Sequence, residues 1–257
     1  MAKILVGIAM WQPHKLFLES LPKFYSQIKH NHDVEIYVCS GMPLVDAQNE
    51  FAEYMLNNDH EYLLTLEDDH WGHTPEMLES LLNANTYMCG IRYYSRHPFY
   101  MCTLMKYSDC KGKSINKRYV DFPLDTKGYH ECDLVPFGMT LIKRELFTDV
   151  LDKPYFRLNH IYDPIEGEYY TYGTDRNFCD RMIQKGIYPV GCFDHTLTHD
   201  DINDKTIWFY RCETMKLYKG FSDRCKVLRR KGKKQPKFHL YYQKHKHEVD
   251  ECVKSYL

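Results

Sequence analysis

Residues 61–70 read Glu-Tyr-Leu-Leu-Thr-Leu-Glu-Asp-Asp-His, so a short apolar run ends in three adjacent carboxylates and an imidazole. An apolar run of this length predicts a buried strand. In open α/β sheets, ligands bind just beyond the carboxyl ends of the strands. Carboxylate oxygens placed there suit Mg²⁺ or Mn²⁺, which commonly share their coordination sphere with substrate phosphates. The segment therefore predicts a metal-assisted enzyme that acts on a phosphorylated substrate.

The same acidic cluster has a simpler interpretation. The pair Thr74-Pro75 is a good helix start, and carboxylates are favourable near a helix N-terminus. The three acidic residues at 67–69 would then be an exposed turn that caps the helix. Both interpretations stay open at this level, because short acidic clusters are common in proteins.

Size and composition indicate a globular protein. The chain has 257 residues, of which 44% are hydrophobic and 27% are charged, which is enough for one large core. No apolar stretch reaches the roughly 20 residues that cross a bilayer, and the N-terminus lacks the features of a secretory signal. We therefore expect a cytoplasmic protein without a transmembrane segment. The ten cysteines show no Cys-x-x-Cys spacing, so we expect reduced, mostly buried thiols.

The hydrophobic pattern predicts alternating strands and helices. Strands are predicted at 3–9, 34–39, 62–66, 86–91, 137–142 and 187–192, and helices at 17–28, 44–56, 74–82, 143–151, 175–185 and 204–219. This order predicts an α/β fold with a mixed, parallel-rich sheet flanked by helices. The charge pattern changes near Gly220, which predicts a domain at 1–220 and a basic C-terminal extension at 221–257.

The order of several short motifs along residues 3–200 resembles the GT-A fold glycosyltransferases, which use nucleotide-diphosphate-sugar donors. The motifs that carry the resemblance are Leu44-Val-Asp-Ala-Gln-Asn49, Glu67-Asp68-Asp69, Pro75, Phe137-Gly138-Met139, Leu141-Ile142-Lys143-Arg144, Gly173-Thr-Asp-Arg-Asn-Phe-Cys179 and His199. The resemblance implies a Rossmann-like mixed sheet with a donor half at about 1–92 and an acceptor side at about 93–200.

The resemblance also implies roles for individual residues. It implies a Mn²⁺ or Mg²⁺ site made by Asp69, Glu67 and His199. It implies donor contacts, with a UDP-sugar favoured, from Glu67, Asp68, Asn49 and Gln48. It implies acceptor contacts from Gly138, Met139 and Tyr172. Asp175 would be the general base that accepts the proton of the acceptor hydroxyl during an inverting transfer.

Some positions depart from the family pattern, and some have other interpretations. Glu67 stands where the family usually has Asp, Gln48 where an Arg is often found, and Thr174 where a Glu precedes the base. Asp175 could simply cap its helix. His199 competes with His195 for the ligand role, and either histidine could instead be an ion-pair partner at the surface.

The C-terminal region concentrates positive charge. Residues 224–237 contain eight Lys or Arg and no acidic residue. Such a segment can bind phosphate backbones, and the residues predicted to contact nucleic acid are Arg229, Arg230, Lys231, Lys233 and Lys234. The alternative is a solvated tail. Together with an aromatic-rich middle region, the segment permits a hydroxymethylated base in DNA as the acceptor, as in phage DNA-modifying enzymes, although a glycan is the commoner acceptor of this fold.

Two other functions remain open from the sequence. A nucleotidyltransferase could use the same metal carboxylates but would release pyrophosphate. A non-catalytic module could bind a nucleotide-sugar or nucleic acid without turnover. The product of the reaction discriminates among these functions.

Overall fold

The computed structural model describes residues 1–95, 102–107, 119–164, 167–199 and 204–257. The strands in this part of the chain are β1 (Lys3–Met10), β2 (Asp33–Ser40), β3 (Tyr62–Glu67), β4 (His70–Trp71), β5 (Met88–Arg92), β6 (Met105–Tyr107), β7 (Tyr119–Asp121), β8 (Tyr129–Glu131), β9 (Met139–Lys143), β10 (Asn159–Asp163), β11 (Glu168–Tyr172), β12 (Val190–Thr196) and β13 (Thr198–His199). The α-helices are α1 (Lys15–Ile28), α2 (Leu44–Asn57), α3 (Pro75–Asn83), α4 (Thr174–Gln184), α5 (Asp204–Arg230) and α6 (Phe238–Tyr256).

Among the described residues, seven strands form one mixed sheet in the order β2-β1-β3-β9-β5-β12-β8. Strand β1 is parallel to β2 and β3, and β5 is parallel to β12. Strand β9 is antiparallel to both of its neighbours, β3 and β5, and β8 is antiparallel to β12. The predicted fold class, a Rossmann-like mixed α/β sheet flanked by helices, is confirmed.

The central strands are almost completely buried. In β1 and β3 most side chains on both faces are buried, which is the pattern of a strand covered by helices on both sides. Helix α2 buries Ala47, Phe51 and Met55, which recur at helical spacing along one stripe. The apolar runs and stripes of the sequence therefore define the core of the first part of the chain.

Two predicted helices differ from the observed elements. Residues 143–151 were predicted as a helix. Residue 143 still belongs to β9, and the helical segment covers 144–150, of which Leu146–Val150 is a π-helical turn. Helix α5 was predicted to end at 219, yet it continues to Arg230. Gly220 lies inside this helix, so the predicted boundary there is wrong. A change in surface charge does not interrupt a helix, and one glycine is tolerated in its interior.

The chain divides into two compact units. The first comprises Met1–Tyr93 and Cys102–Thr198, and the second comprises Tyr94–Met101 and His199–Leu257. In the second unit, α5 and α6 pack together around a small core that contains Tyr242, Val249 and Val253. The basic segment is therefore the end of α5 and its connection to α6. Most of its side chains are exposed, so the alternative of a solvated segment stays open.

Two expectations concern the whole chain. Within the described ranges, no helix has the length and apolar composition that crossing a bilayer requires. The nine cysteines that the structure describes are free, and six of them are buried. The expectation of mostly buried thiols is confirmed for these residues.

Candidate functional site

The acidic cluster lies at the carboxyl edge of the parallel strands. A cleft of about 330 Å³ opens there, and its walls are the segments that follow β1, β2 and β3. The lining residues are Ala9, Met10, Trp11, Met42, Pro43, Leu44, Glu67, Asp68 and Asp69. This is the place where open α/β sheets bind ligands, because the strand ends and the loops after them diverge there. We call it the first cleft.

Two of the three carboxylates meet at one imidazole. His70 is 1% exposed, and its Nδ1 lies 2.7 Å from Oδ1 of Asp69 and 3.7 Å from Oε2 of Glu67. The side chains of Glu67 and Asp69 are 29% and 28% exposed, so they reach the cleft while the imidazole lies behind them. Carboxylate oxygens with an imidazole nitrogen are a donor set that fits a divalent cation. The predicted ligand set does not include His70, although the histidine directly follows the acidic run.

The third carboxylate has a different task. Oδ2 of Asp68 accepts hydrogen bonds from the backbone N–H groups of Trp11, at 2.7 Å, and Gln12, at 3.0 Å. The backbone carbonyl of Asp68 also accepts the N–H of His14, at 2.8 Å. Asp68 thus fixes the loop that forms one wall of the first cleft. Any contact of Asp68 with a donor would be additional to this role in the scaffold.

The acidic residues do not cap the helix that follows them. Helix α3 has Thr74 as its N-cap, and the hydroxyl of Thr74 accepts the N–H of Met77. This hydrogen bond satisfies an N–H that an exposed acidic turn would otherwise have to satisfy. The simpler interpretation of the cluster as a helix cap is therefore wrong.

The chain before β9 supports the cluster from the side. The buried hydroxyl of Thr65 donates to the carbonyl of Phe137, at 2.9 Å, and lies 3.2 Å from the carbonyl of Thr140. These contacts hold Gly138 beside Glu67, whose backbone N–H donates to the Gly138 carbonyl at 3.3 Å. A Cβ atom at position 138 would lie 2.6 Å from the ring of Tyr93 and 3.2 Å from that of His70. Only glycine lets the strand approach these two rings.

The acceptor contacts predicted for this strand are not supported. Gly138 lies against the rings of Tyr93 and His70, and Met139 is 0% exposed within the core of the sheet. A buried methionine cannot contact an acceptor without rearrangement of the core. The family-like motif at 137–139 therefore supports the site from its buried side, and the acceptor contact of Met139 stays a prediction.

Tyr93 is a buried phenol surrounded by the acidic groups of the site. Its ring packs edge-on against His70, with centroids 4.2 Å apart. Burial raises the pKa of Tyr93 well above its usual value, and the charges of Glu67, Asp175 and Asp69 raise it further. The phenol therefore stays protonated and neutral. In the sequence, Tyr93 belongs to the aromatic-rich middle region that was considered for stacking on the acceptor, and nothing local there indicates its contact with the acidic cluster.

A second cleft of about 220 Å³ shares a wall with the first. Its lining residues are Pro43, Leu44, Val45, Glu67, Phe137, Leu158, Gly173, Thr174 and Asp175. Pro43, Leu44 and Glu67 line both clefts. The structure therefore brings Asp175 and Glu67, which are far apart in the sequence, to one continuous site in the first unit.

Asp175 lies in the first turn of α4, after the N-cap residue Gly173. Its Oδ1 accepts the backbone N–H of Arg176 at 2.7 Å. Burial raises the pKa of Asp175, while this N–H and the charge of Arg176 oppose the increase. The carboxylate thus contributes to the helix N-terminus, and the net increase of its pKa also suits a group that accepts a proton.

Two residues with predicted donor contacts, Gln48 and Asn49, are part of the scaffold. Gln48 is 2% exposed and lies on the buried stripe of α2, and its contact with the donor stays a prediction. The amide of Asn49 donates to the carbonyls of Val45 and Phe156, both at 2.9 Å, and accepts the N–H of Phe156 at 3.1 Å. These bonds use the Asn49 amide to join α2 to a distant loop.

Tyr172, the third predicted acceptor residue, is 6% exposed. The guanidinium of Arg176 lies 3.6 Å from the centre of its ring, which is a close cation–π contact. The pair fixes the end of β11 beside the start of α4. Tyr172 therefore helps to position the helix that carries Asp175. In the aromatic-rich middle region of the sequence, His97, Phe99 and Tyr100 lie outside the described residues.

The two histidines that competed for the ligand role have different partners. Nε2 of His195 lies 2.9 Å from the hydroxyl of Ser80, so His195 is engaged on α3. His199 belongs to the second unit, where its Nδ1 donates to the carbonyl of Tyr94 at 2.9 Å. This bond leaves the lone pair on Nε2, as in many metal-binding histidines. The ligand role of His199 stays a prediction.

Comparisons with known proteins concern the fold. No protein-family model and no curated protein matches the sequence. The crystal structure of A197 from STIV is similar with a TM-score of 0.50 and 15% identity, over 79% of this chain and 87% of that one. The crystal structure of GalNAc-T7 with UDP, GalNAc and Mn²⁺ is similar with a TM-score of 0.46 and 10% identity, over 84% of this chain and 48% of that one. A candidate nucleotide-diphospho-sugar transferase from Desulfovibrio desulfuricans G20 is similar with a TM-score of 0.42 and 8% identity, over 81% of this chain and 87% of that one. At this identity the likeness to A197 shows the fold alone.

Proposed function

We propose that this protein is a divalent-metal-dependent glycosyltransferase that uses a nucleotide-diphosphate-sugar. The observation that carries the proposal is the convergence of Glu67, Asp69 and His70 at the carboxyl end of β3, on the wall between two clefts. A donor and an acceptor must both reach the reacting carbon, so a transferase needs two adjoining binding spaces. The shared wall provides this arrangement.

The first cleft has the properties of a donor site. Met10, Trp11 and Met42 give it an apolar wall, and Trp11 is 73% exposed, so its indole is accessible to a nucleobase. Three acidic residues and no Lys or Arg occur among the described residues that line it. A diphosphate would be repelled by these carboxylates unless a cation lay between them. The chemistry of the lining therefore favours a metal-bound diphosphate over a free one.

The residues that would hold Mn²⁺ or Mg²⁺ are Glu67 and Asp69, with His70 beside them and His199 as the predicted further ligand. When bound there, the cation would offset the negative charge that develops on the departing nucleoside diphosphate. Asp68 keeps the wall of the first cleft in place through its bonds to the loop after β1.

Asp175 would act on the acceptor in the second cleft. As the acceptor oxygen forms a bond to the anomeric carbon, the bond from that carbon to the phosphate oxygen breaks. The hydroxyl proton passes to the carboxylate of Asp175, and the nucleoside diphosphate leaves with the electron pair. Attack from the side opposite the leaving group inverts the configuration. The acceptor class, a glycan or a hydroxymethylated base in DNA, stays a prediction.

Release of the nucleotide product tests the proposal. The full chain is incubated with a panel of nucleotide-sugars and Mn²⁺, and nucleoside diphosphate and pyrophosphate are measured with and without a chelator. We expect nucleoside diphosphate, at a rate that chelation abolishes and that Asp69→Asn lowers about 100-fold or more. The matched control is Asp59→Asn, whose side chain is 88% exposed and should leave the rate unchanged.

The other outcomes each contradict the proposal. Pyrophosphate as the product would identify a nucleotidyltransferase. Saturable nucleotide binding without any turnover across the panel would identify a binding module. Release that persists in the chelator and in Asp69→Asn would show that the acidic cluster is not the metal site.

A further inference from the structure

The second unit contains a cleft of its own, between the end of α5 and the start of α6. It has a volume of about 420 Å³. The residues that line it are Tyr218, Phe221, Ser222, Cys225, Lys226, Arg229, Gln235, Pro236 and Phe238. Five of these nine residues belong to the basic segment 224–237, which the proposed transfer reaction does not use. We call it the hairpin cleft.

The cations around the hairpin cleft are largely uncompensated. Within the described part of the chain, no ion pair involves Arg229, Arg230, Lys231, Lys233 or Lys234, and all five are exposed. Lys226 pairs with Asp223 at 2.9 Å, but both side chains are at least 60% exposed, so the pair opens easily in water. One or two cations would suffice to complement the C-terminal dipole of α5. Eight within 14 residues exceed that need and indicate a polyanionic partner.

The wall of the hairpin cleft is aromatic. The ring of Phe238 lies 5.0 Å from that of Tyr218 and 5.2 Å from that of Phe221, between centroids. Phe221 is 8% exposed and forms the floor, whereas Tyr218 is 41% exposed and offers ring surface to a ligand. Aromatic rings beside a cationic groove are the combination that binds unpaired bases and their phosphates together.

We propose that the hairpin cleft binds single-stranded nucleic acid, with one base against Tyr218 and the adjacent phosphates on Arg229 and the lysines that follow it. A free phosphate would use the cations but not the aromatic wall. A duplex keeps its base faces stacked and unavailable. An anionic membrane surface would require apolar side chains that protrude, whereas these rings line a concave space. The inference is independent of the proposed transfer reaction.

Binding of a fluorescent single-stranded oligonucleotide to the full chain tests the proposal by anisotropy at several salt concentrations. We expect saturable binding that weakens as salt increases. Replacing Lys226 and Arg229 together by Gln should weaken binding about tenfold or more and reduce the slope of log K against log salt by about 1.4, since each phosphate contact on a single strand contributes about 0.7. Tyr218→Ala should weaken binding about tenfold, because base stacking is lost, without a change in the salt slope.

A matched control distinguishes binding in the hairpin cleft from a general effect of positive charge. Lys244 and Lys246 are exposed residues of α6 outside the basic segment, and their double replacement by Gln removes the same charge from the same unit. This variant should retain the wild-type affinity. Equal losses in the two double variants, an unchanged affinity of Tyr218→Ala, or tighter binding to anionic vesicles than to the oligonucleotide would each overturn the proposal. Circular dichroism of every variant confirms that α5 and α6 are intact.

Discussion

At the scale of single residues, identical chemical groups have different tasks because of their spatial partners. Asp68 and Asp69 are adjacent in sequence, yet the first accepts backbone N–H groups of the loop after β1, and the second meets His70 at the cleft. The amide of Asn49 likewise forms hydrogen bonds with backbone groups of two separate segments of the chain. Residue type predicts that a group can bind a ligand, and its neighbours decide whether it does.

Asp175→Asn gives a test at this scale. The Asn side chain can still accept the N–H of Arg176 but cannot accept a proton, so we expect transfer to fall about 100-fold or more while donor affinity is retained. In the wild type, transfer should decrease as pH falls through the pKa of Asp175, because the protonated carboxyl is not a base. Burial raises this pKa, so the decrease should begin above the usual range of aspartate.

Initial rates measured across pH test the predicted loss of transfer and its pH dependence. Calorimetry with the donor's nucleotide tests whether the donor affinity is retained. Burial disfavours the ionised form of the Asp175 carboxyl, so the folded protein is more stable when this group is protonated. This contribution to stability is complete below the usual aspartate pKa and is lost as the pH rises through the raised pKa of Asp175. Asp175→Asn removes this penalty and should melt no lower than the wild type at neutral pH. Full transfer by this variant would refute the role of Asp175 as the base.

At the scale of elements, β9 has the largest influence on the site. It enters the sheet antiparallel between β3 and β5, and its approach places Gly138 under the rings of Tyr93 and His70. Because the imidazole of His70 lies against Glu67 and Asp69, the backbone before this strand influences the geometry of the acidic cluster. Helix α4 has a similar role, since it brings Asp175 to the wall of the second cleft.

Two glycine variants test the importance of this close approach. Gly138→Ala places a Cβ 2.6 Å from Tyr93, so we expect a loss of about 1–3 kcal/mol in stability and weaker binding of Mn²⁺. Gly220→Ala is the matched control: it lies inside α5 with no atom within 4 Å of the new Cβ, so it should stabilise the helix by about 0.5–1 kcal/mol. Thermal unfolding and titration with Mn²⁺ measure both effects, and unchanged Mn²⁺ affinity in Gly138→Ala would contradict this account of β9.

At the scale of the whole molecule, the chain consists of two units with cores of very different size. The first contains the large sheet, whereas the second is stabilised by a few residues such as Tyr242, Val249 and Val253. The basic segment and its aromatic cleft belong to the smaller unit, and the two clefts beside the acidic cluster belong to the larger one. Each unit is therefore expected to have its own stability.

Hydrogen exchange measured by mass spectrometry tests this expectation. We predict that amides of α5 and α6 exchange faster than those of β1 and β3, and that they lose protection at a lower denaturant concentration, because fewer buried contacts oppose their opening. Equal protection in both units, lost in a single transition, would show that the chain unfolds as one cooperative unit.

The sequence by itself determined the alternating strands and helices and the acidic end of β3. These features arise from local periodicity and composition, which a window of ten to twenty residues contains. The predicted strands and helices of the first unit were confirmed apart from their ends and the helix at 143–151, because burial of apolar stripes and runs leaves few alternatives there.

Only the tertiary structure decided which predicted residues face the clefts. The antiparallel position of β9, the burial of Gln48 and Met139, the anchoring role of Asp68, and the common wall of Glu67 and Asp175 all depend on contacts between residues far apart in the chain. The continuation of α5 through Gly220 likewise depends on packing against α6 and not on the change in charge. Such contacts are determined by how the elements pack, and no local pattern encodes them.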